Sequence, residues 1–272
     1  IWQFIEGRFT LADDFVYQDD ESIRLARLGY SDIASSYPKL KIKFDSFVLP
    51  VVGVDTDDQE LIEDMFSRLN EAVPLNAAEK RNSLGGELVS TIRDVANHEF
   101  FSRCVAFGNK RYQHREVAAR FILVEENIRT LGKIIDTKKE YLDALARNYR
   151  TGKTDLVDDF RRSISVTLNY MATLFVDRDE LLRAQGNMVL YYLLCKSAVE
   201  NEVAARLSRE RLYAFRDQVR DNRNRAEENY ADASFELLEF DRLSQQGTND
   251  SSNIRERLSV ISRFMNIPLI SI

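Results

Sequence analysis

The segment 65–82, MFSRLNEAVPLNAAEKRN, concentrates arginine, asparagine and glutamate around a predicted corner between two helices. A guanidinium donates two parallel hydrogen bonds to a phosphate, and free N–H groups at the start of a helix attract anions. The corner therefore predicts a polar pocket for an anionic ligand such as a nucleotide. Its predicted ligand-facing residues are Arg68, Asn70, Glu79 and Arg81.

A structural interpretation fits the same corner. Asn76, with Glu79 three residues later, forms a capping box, which begins a helix without any ligand. An arginine here also fits a carboxylate partner that holds the corner closed. Both interpretations stay open from the sequence: capping explains Asn76 best, whereas Arg68 and Arg81 are the better candidates for ligand contacts.

A second concentration of positive charge spans 206–225, RLSRERLYAFRDQVRDNRNR, and contains arginine but no lysine. Arginines along a helix grip phosphates without reading the base sequence. The alternative, which the sequence favours, is an exposed helix face where Asp217 and Asp221 pair with arginines at helical spacing. The residues predicted to contact nucleic acid are Arg209, Arg216, Arg220 and Arg223.

Metal and catalytic sites have little support in the residue types. His98 and His114 are the only histidines, and neither has a cysteine, histidine or aspartate partner at metal-ligand spacing. The sequence therefore predicts no metal site, and it argues against a nuclease of the HNH type. Cys104 and Cys195 lie far apart in apolar helical patterns, which favours buried, reduced thiols over a disulfide.

Composition describes a helix-rich globular protein. The 272 residues are 44% apolar and 30% charged, with only 10 glycines and 4 prolines, and the net charge is −6. This balance excludes a surface that is basic throughout, but not a local basic face. The dense apolar run 188–195 is too short to span a bilayer and no signal peptide precedes the first element, so a cytoplasmic location without a membrane partner is expected.

Periodicity predicts a predominantly helical α+β fold. The clearest strand is FVLPVVGV at 47–54, RFTL and DFVY near the N-terminus have weak β character, and 38–47 fits a helix or a strand. From Glu87 onward only helical patterns occur, with MVLYYLLC apolar on all sides and therefore central. We expect one domain over 1–96 and a helical bundle over 97–272. The predicted helices of the bundle region are 87–97, 99–108, 113–150, 155–176, 178–200, 202–229, 231–245 and 252–266.

Several segments resemble one known family. F-x-R-L-N at 66–70 and P-L-N-x-x-E-x-R at 74–81 are similar to motifs of the GmrSD-type restriction endonuclease N-terminal domain family, a ParB/sulfiredoxin-like group in bacterial phage defence. FIEGRFTL, FVLPVVGV and the closing LLEFDRLSQQGTND at 237–250 resemble family segments at the same relative places. The family's Asp-Gly-Gln-Gln-Arg loop is expected just ahead of Ile1 and is not in this sequence.

The resemblance implies a function. An intact protein of this kind would bind a nucleoside triphosphate with Mg, hydrolyse it through the upstream loop and act on DNA, so the chain as given is expected to be catalytically incomplete. Residues 1–96 would be the remaining part of the ParB/sulfiredoxin-like domain. The other hypothesis is a non-catalytic scaffold that binds a partner defence protein or nucleic acid through its helical bundle. Oligomeric state does not follow from the sequence.

Overall fold

A computed structural model describes residues 1–12, 15, 17, 20, 23–48, 53, 56, 58, 62, 75–150 and 154–270. The chain divides into two compact units, Ile1–Asp57 and Asp58–Ile272. The domain boundary predicted at 96/97 therefore lies inside the second unit. Helix dominates the described residues and none of them forms a β-strand, so the helical part of the predicted fold is confirmed and the α+β part is not.

The first unit is a small helical cluster. It contains α1 (Trp2–Ile5), α2 (Tyr30–Ser36) and α3 (Pro38–Asp45), packed around Phe4, Leu25 and Ile33. RFTL is not a strand: Leu11 exchanges backbone hydrogen bonds with the turn at 27–28, and this pairing extends no further within the residues that the structure describes. Most of the predicted strand at 47–54 lies outside the described residues.

The second unit is a bundle of helices joined by short turns. Its helices are α4 (Ala77–Ser83), α5 (Glu87–Ala96), α6 (Gln113–Leu131), α7 (Lys139–Asn148), α8 (Thr154–Leu174), α9 (Met188–Glu200), α10 (Arg209–Glu228), α11 (Phe235–Gln245) and α12 (Ser251–Met265). A π-helical turn covers Phe100–Cys104, and 3-10 turns include Glu180–Leu182 and Gln185–Asn187.

Several predicted helices are shorter than their patterns suggest. The prediction over 99–108 contains only the π-helical turn, and the helix predicted over 202–229 begins at Arg209. The pattern over 113–150 breaks at Gly132, whose left-handed backbone (φ 62°) ends α6 and leaves α7 as a separate helix. The predicted helix over 178–200 begins only at Met188, because the preceding residues form the two 3-10 turns. An isolated bridge between Val105 and Asp179 fixes the start of these turns.

Helix α9 is the centre of the bundle, as its sequence predicts. Every residue from Met188 to Ala198 is buried, and the helix packs against α6, α8 and α12. The apolar residues at helical spacing from Ile164 to Phe175 are buried as well, whereas Leu131 at the end of α6 is 56% exposed. The core also contains an ion pair, in which Lys196 on α9 meets Glu125 on α6 at 3.0 Å.

Cys104 and Cys195 are buried and form no disulfide. Burial raises the pKa of both thiols, which keeps them protonated and unreactive near neutral pH. Among the described helices, none combines the length and apolar content that a bilayer crossing requires.

Two adjacent glycines before α5 offer a matched test of backbone packing. Both have a positive φ, 66° at Gly85 and 87° at Gly86. A Cβ at Gly86 would lie 2.9 Å from the carbonyl oxygen of Arg150, whereas one at Gly85 would meet nothing within 4 Å. We expect Gly86→Ala to lower the free energy of unfolding by about 2–3 kcal/mol and Gly85→Ala by only about 1 kcal/mol. If chemical denaturation shows that both variants lose the same free energy of unfolding, the close approach of Gly86 to Arg150 is contradicted.

Candidate anion-binding site

The corner that begins α4 has the capping box predicted for it. The Asn76 side chain accepts a hydrogen bond from the Glu79 backbone N–H (2.9 Å), and the Glu79 carboxylate accepts one from the Asn76 N–H (2.7 Å). Arg111 pairs with Glu79 at 2.8 Å, and this contact, followed by the Asn76 N–H, lowers the pKa of Glu79. Asn76 and Glu79 are thus engaged with the protein itself.

Arg81 is also engaged. The residue is 3% exposed, and its guanidinium donates to Asp143 at 2.6 Å and to Glu116. Arg120 reaches the second oxygen of Glu116 at 3.3 Å. Carboxylates therefore hold Arg81, as the structural interpretation of the corner requires. Arg68 and Asn70 lie outside the described residues, so nucleotide binding there stays a prediction.

Of the four arginines predicted to contact nucleic acid, Arg209 has a structural partner. It donates to the carboxylate of Asp179 at 2.7 Å, and that side chain is fully buried. Asp179 also accepts hydrogen bonds from the backbone N–H groups of Val176 and Leu181. Arg209 therefore anchors the start of α10 to the turns that precede α9.

The other three arginines meet in one cleft of about 540 Å³, between α10, α11, α9 and the turns before α9. We call it the arginine cleft. Its described lining residues are Glu180, Leu181, Arg183, Ala184, Asn187, Leu190, Tyr191, Phe215, Arg216, Val219, Arg220, Arg223, Phe240, Asp241, Ser244 and Ile261. Four of these residues are arginines, and two carry carboxylates. The volume of the cleft is within the range of small-ligand sites.

Two of these arginines are closely paired. Arg223 donates both nitrogens of its fork to Asp241, which joins α10 to α11. Arg220 lies 3.1 Å from Asp217 and 3.3 Å from Asp221 on its own helix. The aspartates expected from the sequence to pair along α10 therefore do so, and Arg220 and Arg223 are partly neutralised.

Arg216 and Arg183 are less engaged. The guanidinium of Arg216 stacks over the Tyr213 ring, 4.2 Å from its centroid, and its carboxylate neighbours Glu180 and Asp217 stand 3.6 and 3.7 Å away, beyond hydrogen-bond distance. Arg183 is exposed, and its side chain forms no ion pair or hydrogen bond among the described residues. These two side chains have donors available for an anion that enters the arginine cleft.

An uncharged donor lies deeper in the arginine cleft. Tyr191 on α9 is only 8% exposed, and its hydroxyl has no hydrogen-bond partner in the described part of the chain. Burial and then the negative charge of Asp179 raise the pKa of Tyr191, while Arg216 opposes that rise. The hydroxyl is therefore protonated at neutral pH and remains a donor.

Behind the arginine cleft lies a buried arginine that has no carboxylate partner among the described residues. Arg257 on α12 is 0% exposed and donates to the Asn187 side chain (3.2 Å) and to the backbone oxygens of Gly186 and Thr248. Desolvation lowers the pKa of Arg257 to about 10, so it remains a cation at neutral pH. It ties the turn before α9 to the loop before α12.

The first unit contains a different cavity, an apolar groove of about 660 Å³. Phe4, Leu25 and Tyr30 line it, and its lysines have partners of their own: Lys41 pairs with Asp45, and Lys43 contacts the Tyr17 hydroxyl at 3.1 Å. The groove offers little to an anion. It does not match the phosphate chemistry that the arginine segments predict.

The histidines have structural surroundings. His114 packs between Phe101 and Phe107, and burial lowers its pKa, while His98 bonds Asn169 at 3.0 Å. Within the described ranges no group of histidine, cysteine, aspartate or glutamate side chains is arranged to hold a metal ion.

Of the residues that line the arginine cleft, the sequence pointed to Arg216, Arg220 and Arg223 but not to Arg183, Asn187 or Tyr191. The apolar pattern of α9 identified Tyr191 only as core, and no periodicity linked 183–187 to α10. Comparison with known proteins supplies no further residue: no family model, curated protein or solved structure matches this chain.

Proposed function

We propose that this chain is a DNA-binding protein of a bacterial phage-defence system, of the kind that its resemblance to the GmrSD N-terminal domain family implies. Its own contribution in this proposal is to hold DNA phosphates in the arginine cleft. The observation that carries the DNA-binding part is the convergence of Arg183 and Arg216, neither with a hydrogen-bonded carboxylate, on a single cleft.

The net charge of the chain favours a DNA contact at one local site over a contact across a wide surface. The chain has a net charge of −6, so long-range attraction of DNA to the whole surface is weak. Binding must then come from a few arginines whose planar forks match phosphate oxygens. Within the arginine cleft, Arg220 and Arg223 already hold aspartates, so Arg183 and Arg216 carry most of the expected interaction.

The nucleotide part of the proposal rests on the resemblance and on Arg68. Glu79 and Arg81 shape the corner through Arg111, Glu116 and Asp143, and we expect them to support the site rather than contact the ligand. A protein that includes the upstream loop would bind a nucleoside triphosphate with Mg, and Arg68→Ala would weaken that binding. If the parent protein and Arg68→Ala bind the nucleotide with equal affinity, Arg68 is not part of the site.

The double variant Arg183→Ala/Arg216→Ala tests DNA binding. An arginine–phosphate hydrogen bond contributes about 1 kcal/mol or more, so we expect at least about a ten-fold weaker affinity for a short DNA at low salt. Fluorescence anisotropy with a labelled oligonucleotide measures the change.

A matched control removes the same charge elsewhere. Arg225 lies on α10 and Arg242 on α11, and neither lines the arginine cleft. Arg225→Ala/Arg242→Ala should weaken DNA binding by no more than about three-fold, since these arginines act on a phosphate in the cleft only through space and not through hydrogen bonds. If both double variants lose affinity equally, binding reflects charge alone and the arginine cleft is not the site.

A further inference from the structure

The floor of the arginine cleft contains donors that the protein leaves without acceptors. Tyr191 is more than nine-tenths buried, yet its hydroxyl has no partner in the described part of the chain. The hydroxyl oxygen is not one of the fully enclosed polar atoms that lack a hydrogen bond in the described part of the chain, so it is open to a partner that accepts its proton. Because Tyr191 lines the arginine cleft, that partner enters from the cleft.

The Asn187 amide, oriented by Arg257, is a second uncharged donor in the arginine cleft. A guanidinium can only donate hydrogen bonds, so the group of Asn187 that faces Arg257 at 3.2 Å must be the amide oxygen. The amide NH₂ of Asn187 is then left on the other side, and it has no acceptor among the described residues. Since Asn187 lines the arginine cleft, Arg257 acts as a positioning residue for a cleft donor.

The depth of these donors restricts what can reach them. Phosphates within a continuous duplex lie on a convex surface and are flanked by neighbours on both sides. A terminal phosphate projects from its strand, presents three acceptor oxygens and carries about −1.5 to −2 charges at neutral pH. Two arginines at the mouth and two neutral donors at the floor match this group better than a single phosphodiester.

We propose that the arginine cleft binds a terminal phosphate monoester, on a DNA strand end or a free nucleotide. Arg183 and Arg216 hold its oxygens from the mouth, and Tyr191 and Asn187 donate to it from the floor. The attached nucleoside lies along the apolar lining that includes Leu190 and Phe240. This inference rests on the proposed function, since it assigns a ligand class to the same cleft.

The test compares single-stranded oligonucleotides of one sequence with a 5′-phosphate, a 3′-phosphate or no terminal phosphate, each carrying an internal fluorophore. We expect the full chain to bind one phosphorylated form at least about ten-fold more tightly than the unphosphorylated form. Tyr191→Phe keeps the ring and its packing, so it should abolish most of that preference while leaving affinity for the unphosphorylated strand unchanged. Tyr141→Phe, outside the cleft, should change neither.

The source of the phosphate follows from competition. Displacement by a nucleoside 5′-monophosphate or nucleoside 3′-monophosphate at concentrations similar to the strand would assign the site to free nucleotides, and displacement by phosphorylated strands alone would assign it to DNA ends. A preference that survives in Tyr191→Phe, or equal binding of all three oligonucleotides, would overturn this inference. If equal binding still depends on Arg183 and Arg216, the proposed function stands; if it does not, both fail.

Discussion

Replacing Lys196 by methionine is expected to lower the free energy of unfolding by about 3–5 kcal/mol, because the change strands a buried carboxylate. Lys196 is 4% exposed, and its ammonium contacts Glu125 at 3.0 Å and Ser163 at 2.9 Å inside the bundle. It also contacts Glu200 at 2.6 Å, but that side chain is half exposed, so water can solvate its charge. Without Lys196, Glu125 keeps Tyr192 as its only other hydrogen-bonded side chain in the described core. Chemical denaturation followed by circular dichroism measures the loss.

Two companion variants separate this cause from a simple packing defect. Lys196→Met/Glu125→Gln removes the uncompensated charge while retaining an acceptor for Tyr192, so it should recover at least half of the stability difference. Lys133→Met, at an exposed position, should change stability by less than about 0.5 kcal/mol. A double variant no more stable than Lys196→Met would show that methionine packing, and not Glu125, causes the loss.

Replacing Arg81 by methionine should destabilise the second unit by about 2–4 kcal/mol. The expected loss is smaller than for Lys196 because its partners, Glu116 and Asp143, keep about a fifth of their side-chain surface in water, which screens the charges left behind. Adding Glu116→Gln and Asp143→Asn to Arg81→Met should restore part of the stability. The same denaturation experiment measures all three proteins.

This variant also separates the two interpretations of the corner at 65–82. If Arg81 is structural, nucleotide affinity in a protein with the upstream loop should change little once the stability loss is allowed for. A stability within about 0.5 kcal/mol of the parent, together with a much weaker nucleotide affinity, would instead make Arg81 a ligand contact.

Local patterns predicted most of the helices but not the way they meet. The capping box at Asn76 and the all-round apolar character of α9 were sufficient to place a helix start and the central helix. The break at Gly132 was harder, because the apolar pattern continues past it, and a single left-handed residue decides where α6 ends. The 3-10 turns at 180–187 depend on Asp179 and its tertiary contacts, which no periodicity encodes.

The candidate site shows the same division. Density of charge identified α10 as a surface of interest, and helical spacing correctly suggested that Asp217 and Asp221 would pair with arginines. Neither pattern distinguishes Arg209, which pairs with the buried Asp179, from Arg216, which faces the arginine cleft. That distinction depends on residues about thirty positions away in sequence. Tyr191 and Arg257 become visible only when burial and hydrogen-bond partners are known.

The salt dependence of DNA affinity tests the central claim most directly. The logarithm of the association constant should fall linearly with the logarithm of salt concentration, with a slope set by the number of phosphates contacted. Replacing Arg216 by alanine should make that slope shallower by about 1, whereas Arg225→Ala should leave it unchanged. An affinity that does not fall with salt, or the same slope for the parent and Arg216→Ala, would contradict phosphate binding in the arginine cleft.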